Sequence, residues 1–113
     1  MECGTHTLFN ASASSTYVNT SDVFEDQYGS GAAIGKVGQD RITIGPFAID
    51  HVQFGLVEIE GSTLQLFLAD GIMGLAFEGL ASVTTTSVLG AMSKQNVNTN
   101  SMPILYCEFI LRG

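Results

Sequence analysis

The chain is short of charge, and above all of positive charge. Only 13% of its 113 residues are charged, where about a quarter is usual for a folded domain. Four bases face eleven acids, for a formal net charge of −7. Lys36, Arg41, Lys94 and Arg112 stand apart and form no basic patch. That excludes the phosphate-neutralising surface of a nucleic-acid binder and the polybasic surface that anionic membranes attract. So thin a polar coat implies that part of the surface is meant to be covered. The acidic balance is compatible with work at low pH but does not demonstrate it.

Other absences narrow the field further. No apolar run approaches the ~20 residues of a membrane helix, and no basic-then-apolar leader opens the sequence. The two cysteines, Cys3 and Cys107, lie at opposite ends. One disulfide joining them and two unpaired thiols are both open, the second treating Cys107 as a small buried residue within ILYCEFIL. His6 and His51 lack Cys or carboxylate partners at ligand spacing, so neither a metal nor another cofactor is expected. No Gly-x-Ser-x-Gly motif marks a nucleophilic serine.

What is present reads as mostly β. NASASSTYVNTSD is polar and turn-rich, so loop and short turns are expected there. VFEDQY alternates loosely. QDRITIG puts Ile42 and Ile44 on one face and Arg41 and Thr43 on the other. Gly45-Pro46 marks a turn, and FAIDHVQFGLVEIE resumes as strand with Val52, Phe54 and Leu56 sharing one parity. LQLFLA reads as a strand or a buried turn, and the glycines of ADGIMGLAF as sites of close backbone approach. TTTSVLGAMSKQN predicts one short helix near 86–95, with N-caps among Thr84 to Thr86 and Lys94 favoured at its C-terminal end. ILYCEFIL predicts a final strand. There is no internal repeat.

The stretch YGSGAAIGKVG, residues 28–38, carries four glycines. A phosphate loop would need glycine at position 30 and a hydroxyl after the lysine; Ser30 and Val37 occupy those places. A dinucleotide loop would need glycine where Ile34 stands. A hairpin turning at Gly29-Ser30-Gly31 fits instead, either an ordinary hairpin or a mobile gate.

The residues His6, Phe9, SSTY at 14–17, YGSG at 28–31, Gly35, GQD at 38–40, Ile44-Gly45, Phe54-Gly55-Leu56 and DGIMGLAF at 70–77 occur in the order and spacing of a known family. From about Cys3 to Leu111 the chain resembles the pepsin-like aspartic endopeptidases. The resemblance implies a mainly β fold, part of the N-terminal lobe of the acid-protease architecture, in which residues 1–113 form a single partial domain with a flap hairpin and one short helix. It implies that Tyr28 is the flap tyrosine and that Gly29 and Ser30 hydrogen-bond substrate backbone. Leu64 and Ile72 then line the pocket before the scissile bond, and Met73-Gly74 packs beside a catalytic loop. Tyr28 as a surface strand residue, and Leu64 and Ile72 as plain core, are the bland alternatives.

The family's chemistry needs two aspartates, each within Asp-Thr/Ser-Gly, sharing one proton because two adjacent carboxylates do not both ionise cheaply. Asp22, Asp26, Asp40, Asp50 and Asp70 are followed by Val, Gln, Arg, His and Gly. No catalytic residue is therefore assigned. The chain is expected to begin just after the first catalytic segment and to stop before the second lobe. The family's upstream tryptophan, which bonds the flap tyrosine, and the partner of Cys3 have no counterpart here. These residues are expected to be inactive alone. A degenerate β-domain that binds peptides without cutting them is the alternative.

Expected partners are a peptide or protein substrate, the missing lobe, and further copies of the chain through exposed edges. The sequons Asn10-Ala11-Ser12 and Asn19-Thr20-Ser21 make Asn10 and Asn19 glycosylation candidates and lean towards a secreted, lysosomal or digestive parent protein.

Overall fold

The computed structural model describes residues 5–29, 31–75, 78–80 and 86–95. Cys3, Cys107, Ser30 and the ILYCEFIL strand lie outside them. Three long strands, β1 (Val18–Tyr28), β2 (Gly31–Ile44) and β3 (Phe47–Glu60), form one antiparallel sheet in the order β1-β2-β3. Tyr28 pairs with Gly31 and Ile44 with Phe47, so both connections are two-residue hairpins. Each needs a residue at positive φ, and Gly29 and Gly45 supply it, both at 57°. Pro46 follows Gly45 where no ladder hydrogen bond is required of it.

β1 begins inside the segment read as loop. Val18 and the polar residues 19–22 are held by pairing with Gly38 and Gln39 and by the Thr20 hydroxyl, which donates to the Val37 carbonyl at 2.7 Å. A bulge between Asn19 and Val23, with Ser21 at φ 65°, absorbs the irregular spacing. Ahead of it, among the described residues, only Ala11–Ala13 forms a 3-10 turn, capped by the Asn10 side chain, which accepts from the Ser12 amide.

The buried face of β2 switches along its length. Ala33, Gly35 and Val37 are buried in its first half, then Gly38 and Asp40 of the opposite parity. The ribbon is thus covered on one side early and on the other late. Phe24, Ala33, Val37 and Leu64 form the first core cluster, with Val57 against it. Ile49, Val52 and Ala91 form the second, with Ile42, Ile44, Val88 and Met92 around it. Ile49 and Val52 are both inward although three residues apart, because β3 carries an extra residue opposite Asp40–Ile42, and His51 there adopts φ 58°.

The mid-strand glycines are seats for rings rather than hinges. A Cβ on Gly55 would lie 2.5 Å from the Phe24 ring, one on Gly38 2.4 Å from the Tyr17 ring, and one on Gly35 would meet the Leu56 carbonyl. No side chain larger than hydrogen fits under those rings without displacement.

After β3 the Gly61 amide still donates to the Ala32 carbonyl, and the chain then folds into a 3-10 turn at Leu64–Leu66. The apolar run LQLFLA is neither strand nor buried turn. Leu64 enters the core, but Leu66 and Leu68 are 82% and 102% exposed. The glycines of the next segment also depart from expectation: no described residue lies within 4 Å of a Cβ built at Gly71 or Gly74.

A 3-10 turn at Glu78–Leu80 precedes the single helix among the described residues, α1 (Val88–Lys94). Its N-cap is Ser87, whose hydroxyl accepts from the Gly90 amide, and not a threonine of 84–86. Lys94 closes the helix as expected from the dipole, with its ammonium on the Thr86 hydroxyl at 2.9 Å. No helix among the described residues is long and apolar enough to cross a membrane.

Candidate functional site

The hairpin between β1 and β2 brings Tyr28 and Gly29 to its tip, as the sequence expected. Leu64 sits at its base. It shares the first core cluster with Phe24 of β1 and with Ala33 and Val37 of β2. Of the two expected wall residues, then, Leu64 is core as well as neighbour to the hairpin. Ile72 stands apart in an irregular segment, 60% exposed, beside exposed Met73 and Leu75. Ala76 and Phe77 of the same motif, and Ser30 of the tip, lie outside the described residues.

A second assembly was not visible in the sequence. The imidazole of His6 is almost wholly buried against the end of β3. Its Nε2 lies 3.3 Å from the Leu64 carbonyl and 3.8 Å from Oε1 of Glu60. Its Nδ1 faces Oδ1 of Asp70 at 3.7 Å. The same Asp70 oxygen accepts from the Thr7 amide at 2.9 Å. His6 therefore gains Glu60 and Asp70 as carboxylate neighbours by folding, although both are more than 50 residues away in sequence. Asp70 ties down a segment 63 residues away. The two carboxylates face opposite ring nitrogens.

The SSTY and GQD motifs meet in a third place. Asp40 is only 5% exposed. Its Oδ1 accepts from the Thr16 hydroxyl at 2.5 Å and from the Arg41 amide at 2.7 Å. The Ser14 hydroxyl, foremost, and then that of Thr16 hold its carboxyl below the ordinary aspartate range, against the opposing pull of burial. A carboxylate saturated with donors in this way is a structural anchor. The segment that it fastens carries Phe9, whose ring meets Phe54 edge-on at 5.3 Å and Tyr17 at 5.9 Å. Phe9, Phe54, Asp40, Arg41 and Ile42 border an open depression beside it.

The remaining described bases are each engaged. Arg41 Nε donates to Asp50 Oδ1 at 2.5 Å, and Lys36 pairs with Glu58 at 3.0 Å. The guanidinium bond lowers the Asp50 pKa and raises that of Arg41. The aspartates thus serve separate local tasks. Asp26 accepts from the Gln27 amide, Asp40 from Thr16, Asp50 from Arg41 and Asp70 from Thr7.

Comparison with known proteins places this arrangement. The family model described as eukaryotic aspartyl protease matches residues 1–107. Gastricsin of Rattus norvegicus is 42% identical over 91 residues, covering 80% of this chain and 23% of its own length. Gastricsin of Callithrix jacchus is 36% identical over 105 residues, covering 92% and 27%. The crystal structure of an aspartic proteinase from Irpex lacteus superposes with a TM-score of 0.69 at 25% identity, over 83% of this chain and 28% of that one. The chain spans about a quarter of the length of these curated relatives. On the family match, the sequence identity and the shared mainly β architecture, the chain belongs to the eukaryotic aspartyl protease family, as a pepsin-like segment of it.

Proposed function

We propose that this chain supplies the substrate-covering hairpin and part of the pocket wall to peptide-bond hydrolysis by a pepsin-like aspartic endopeptidase. Tyr28, Gly29 and Ser30 cover the bound peptide, the tip residues hydrogen-bond its backbone, and Leu64 and Ile72 face its apolar side chains. The observation that carries this is the two-residue hairpin with Gly29 at φ 57°, seated over Leu64 in a chain of this family. A positive φ at the tip turns the backbone sharply and leaves peptide groups free to meet an extended substrate.

The cutting chemistry requires the paired aspartates. One carboxylate takes a proton from the attacking water while the other protonates the carbonyl oxygen. None of the aspartates here starts the Asp-Thr/Ser-Gly motif. The 113 residues therefore do not hydrolyse peptides alone; they act together with the rest of a parent protease, in a secreted, lysosomal or digestive compartment. A non-catalytic peptide-binding role is favoured only by the exposed apolar residues 66–75.

Two assays separate these functions. Acid proteolysis is measured with the chain alone and with the complementary part of a gastricsin-like protease added in trans, with and without a transition-state-mimicking inhibitor. Inhibitor-sensitive cleavage only in the mixture, lost on Gly29→Val, is the expected result. Cleavage by the chain alone, or none in the mixture with tight peptide binding by the chain in calorimetry, rejects it.

A further inference from the structure

We propose that Asn19 carries an N-linked oligosaccharide that shields the open edge of the sheet at the start of β1. The sheet has the order β1-β2-β3, and among the described residues only β2 pairs with β1. An edge of that kind offers its free amides and carbonyls to any strand that meets it. Charge guards one part of it. Asp22, Glu25 and Asp26 stand along β1 towards the hairpin tip, but Val18, Asn19, Thr20 and Ser21 carry no charge. Val18 at the head of that uncharged stretch and Val23 just beyond it are 51% and 77% exposed. The same stretch holds the sequon Asn19-Thr20-Ser21. A bulky, solubilising glycan there supplies the cover that charge does not.

The folded geometry has room for the modification. Asn19 is exposed, and its Oδ1 accepts from the Ser21 amide at 3.3 Å. That contact uses only the oxygen, so a sugar on Nδ2 preserves it. Thr20 stays fastened to the Val37 carbonyl through its hydroxyl, so the strand keeps its place. Transfer joins Nδ2 to C1 of an oligosaccharide carried on a lipid diphosphate. The C1–O bond to the diphosphate breaks, the lipid diphosphate leaves with that electron pair, and the Nδ2 proton passes to a base of the transferring enzyme. Nothing is oxidised or reduced. Asn10 offers the second sequon, but its Oδ1 takes both the amide and the hydroxyl of Ser12 in a 3-10 turn that is not part of the sheet edge.

The position keeps the glycan clear of the hairpin tip. Asn19 and Tyr28 lie near opposite ends of β1, roughly 30 Å apart at the rise of an extended strand. A sugar at one end and a peptide under the other do not compete for space. Residence in a secretory compartment, where the transfer takes place, rests on the function proposed above; the need of the edge for cover does not.

The full 113-residue chain, directed into the secretory route of a eukaryotic cell by a cleavable leader, tests this. Mass analysis of its peptides, before and after enzymatic release of N-glycans, should place a glycan on Asn19. Asn19→Gln should abolish the mass shift of that peptide, and so should Ser21→Ala, which removes the sequon hydroxyl but leaves the asparagine. Translation with microsomes reads the same occupancy if the chain is not secreted. An unmodified Asn19, with or without a glycan on Asn10, overturns the assignment. Sedimentation tests the shielding, in chains that also carry Leu66→Glu and Leu68→Glu so that the exposed 66–68 run does not dominate association. Loss of the glycan through either variant should shift association to lower concentration. The same two variants made in bacteria, without glycan, should match their unglycosylated parent. Equal association with and without the glycan rejects the shielding, and so does a difference that persists in the bacterial chains, which would belong to the side chain itself. Failure of the peptide-cleft function registers separately, in the cleavage and binding assays.

Discussion

At the scale of single residues, the most constrained side chain is Asp40. Its carboxylate gathers the Ser14 and Thr16 hydroxyls and the Arg41 amide, joining the segment before β1 to the middle of β2. Its folded pKa is depressed, so its contribution to stability is fully present above the ordinary aspartate range, about pH 4. It is lost as pH falls through the lowered folded value. Asp40→Asn removes the ionised acceptor but keeps the shape. Urea unfolding between pH 2 and 7 should show the variant weaker than wild type near neutrality, with the gap closing towards pH 2. A constant gap across that range would mean that the carboxylate charge contributes nothing. The sequence displayed SSTY and GQD as separate motifs; it gave no physical reason for either. The reason is a contact between residues 24 positions apart, which periodicity does not report. The His6, Glu60 and Asp70 cluster was hidden for the same reason.

At the scale of elements, the readable parts were those whose side chains alternate or repeat. β2 and β3 met that condition, and Gly45-Pro46 fixed the turn between them. The start of β1 did not, because Asn19, Thr20, Ser21 and Asp22 carry loop chemistry and are held as strand by their neighbour. The run after β3 misled in the opposite sense. Its apolar composition suggests burial, yet local 3-10 hydrogen bonds at Leu64–Leu66 take its backbone out of the ladder. α1 was legible from its spacing, but at seven residues it is too short to persist on propensity. Tertiary ties hold it. Ala91 packs on Ile49 and Val52, and Gln95 grips both backbone groups of Asp50. The Asp50 amide donates to Gln95 Oε1 at 2.9 Å, and Gln95 Nε2 donates to the Asp50 carbonyl at 2.7 Å. Gln95→Ala should therefore cost about 1 kcal/mol, the net worth of exposed hydrogen bonds. Exchange at residues 88–94 should quicken about fivefold while the Ala33–Val37 amides keep their protection. Equal loosening of both regions would assign Gln95 to the whole fold rather than to helix docking.

At the scale of the molecule, the unequal distribution of cover decides behaviour. Among the described residues the core is divided into two small clusters at opposite ends of a long ribbon. Outside them, Leu66, Phe67, Leu68, Ile72, Met73 and Leu75 are exposed within ten residues, and Val18, Val23 and Ile59 on the outer strands are exposed as well. Hydrophobic surface of that extent draws partners or copies together, and few charges stand nearby to oppose it. In the proposed parent protease the same surface is where the rest of the enzyme would lie. Alone, the chain should associate with itself, its apparent mass in sedimentation rising with concentration. Leu66→Glu with Leu68→Glu should shift it towards monomer, since both side chains project into solvent and their replacement leaves the core clusters intact. Addition of the complementary part of a gastricsin-like protease should do the same to the wild type by covering the surface instead of charging it. A sharp monomer at every concentration would show that the exposed run is neither a docking surface nor a liability, and the thin polar coat would then need another cause.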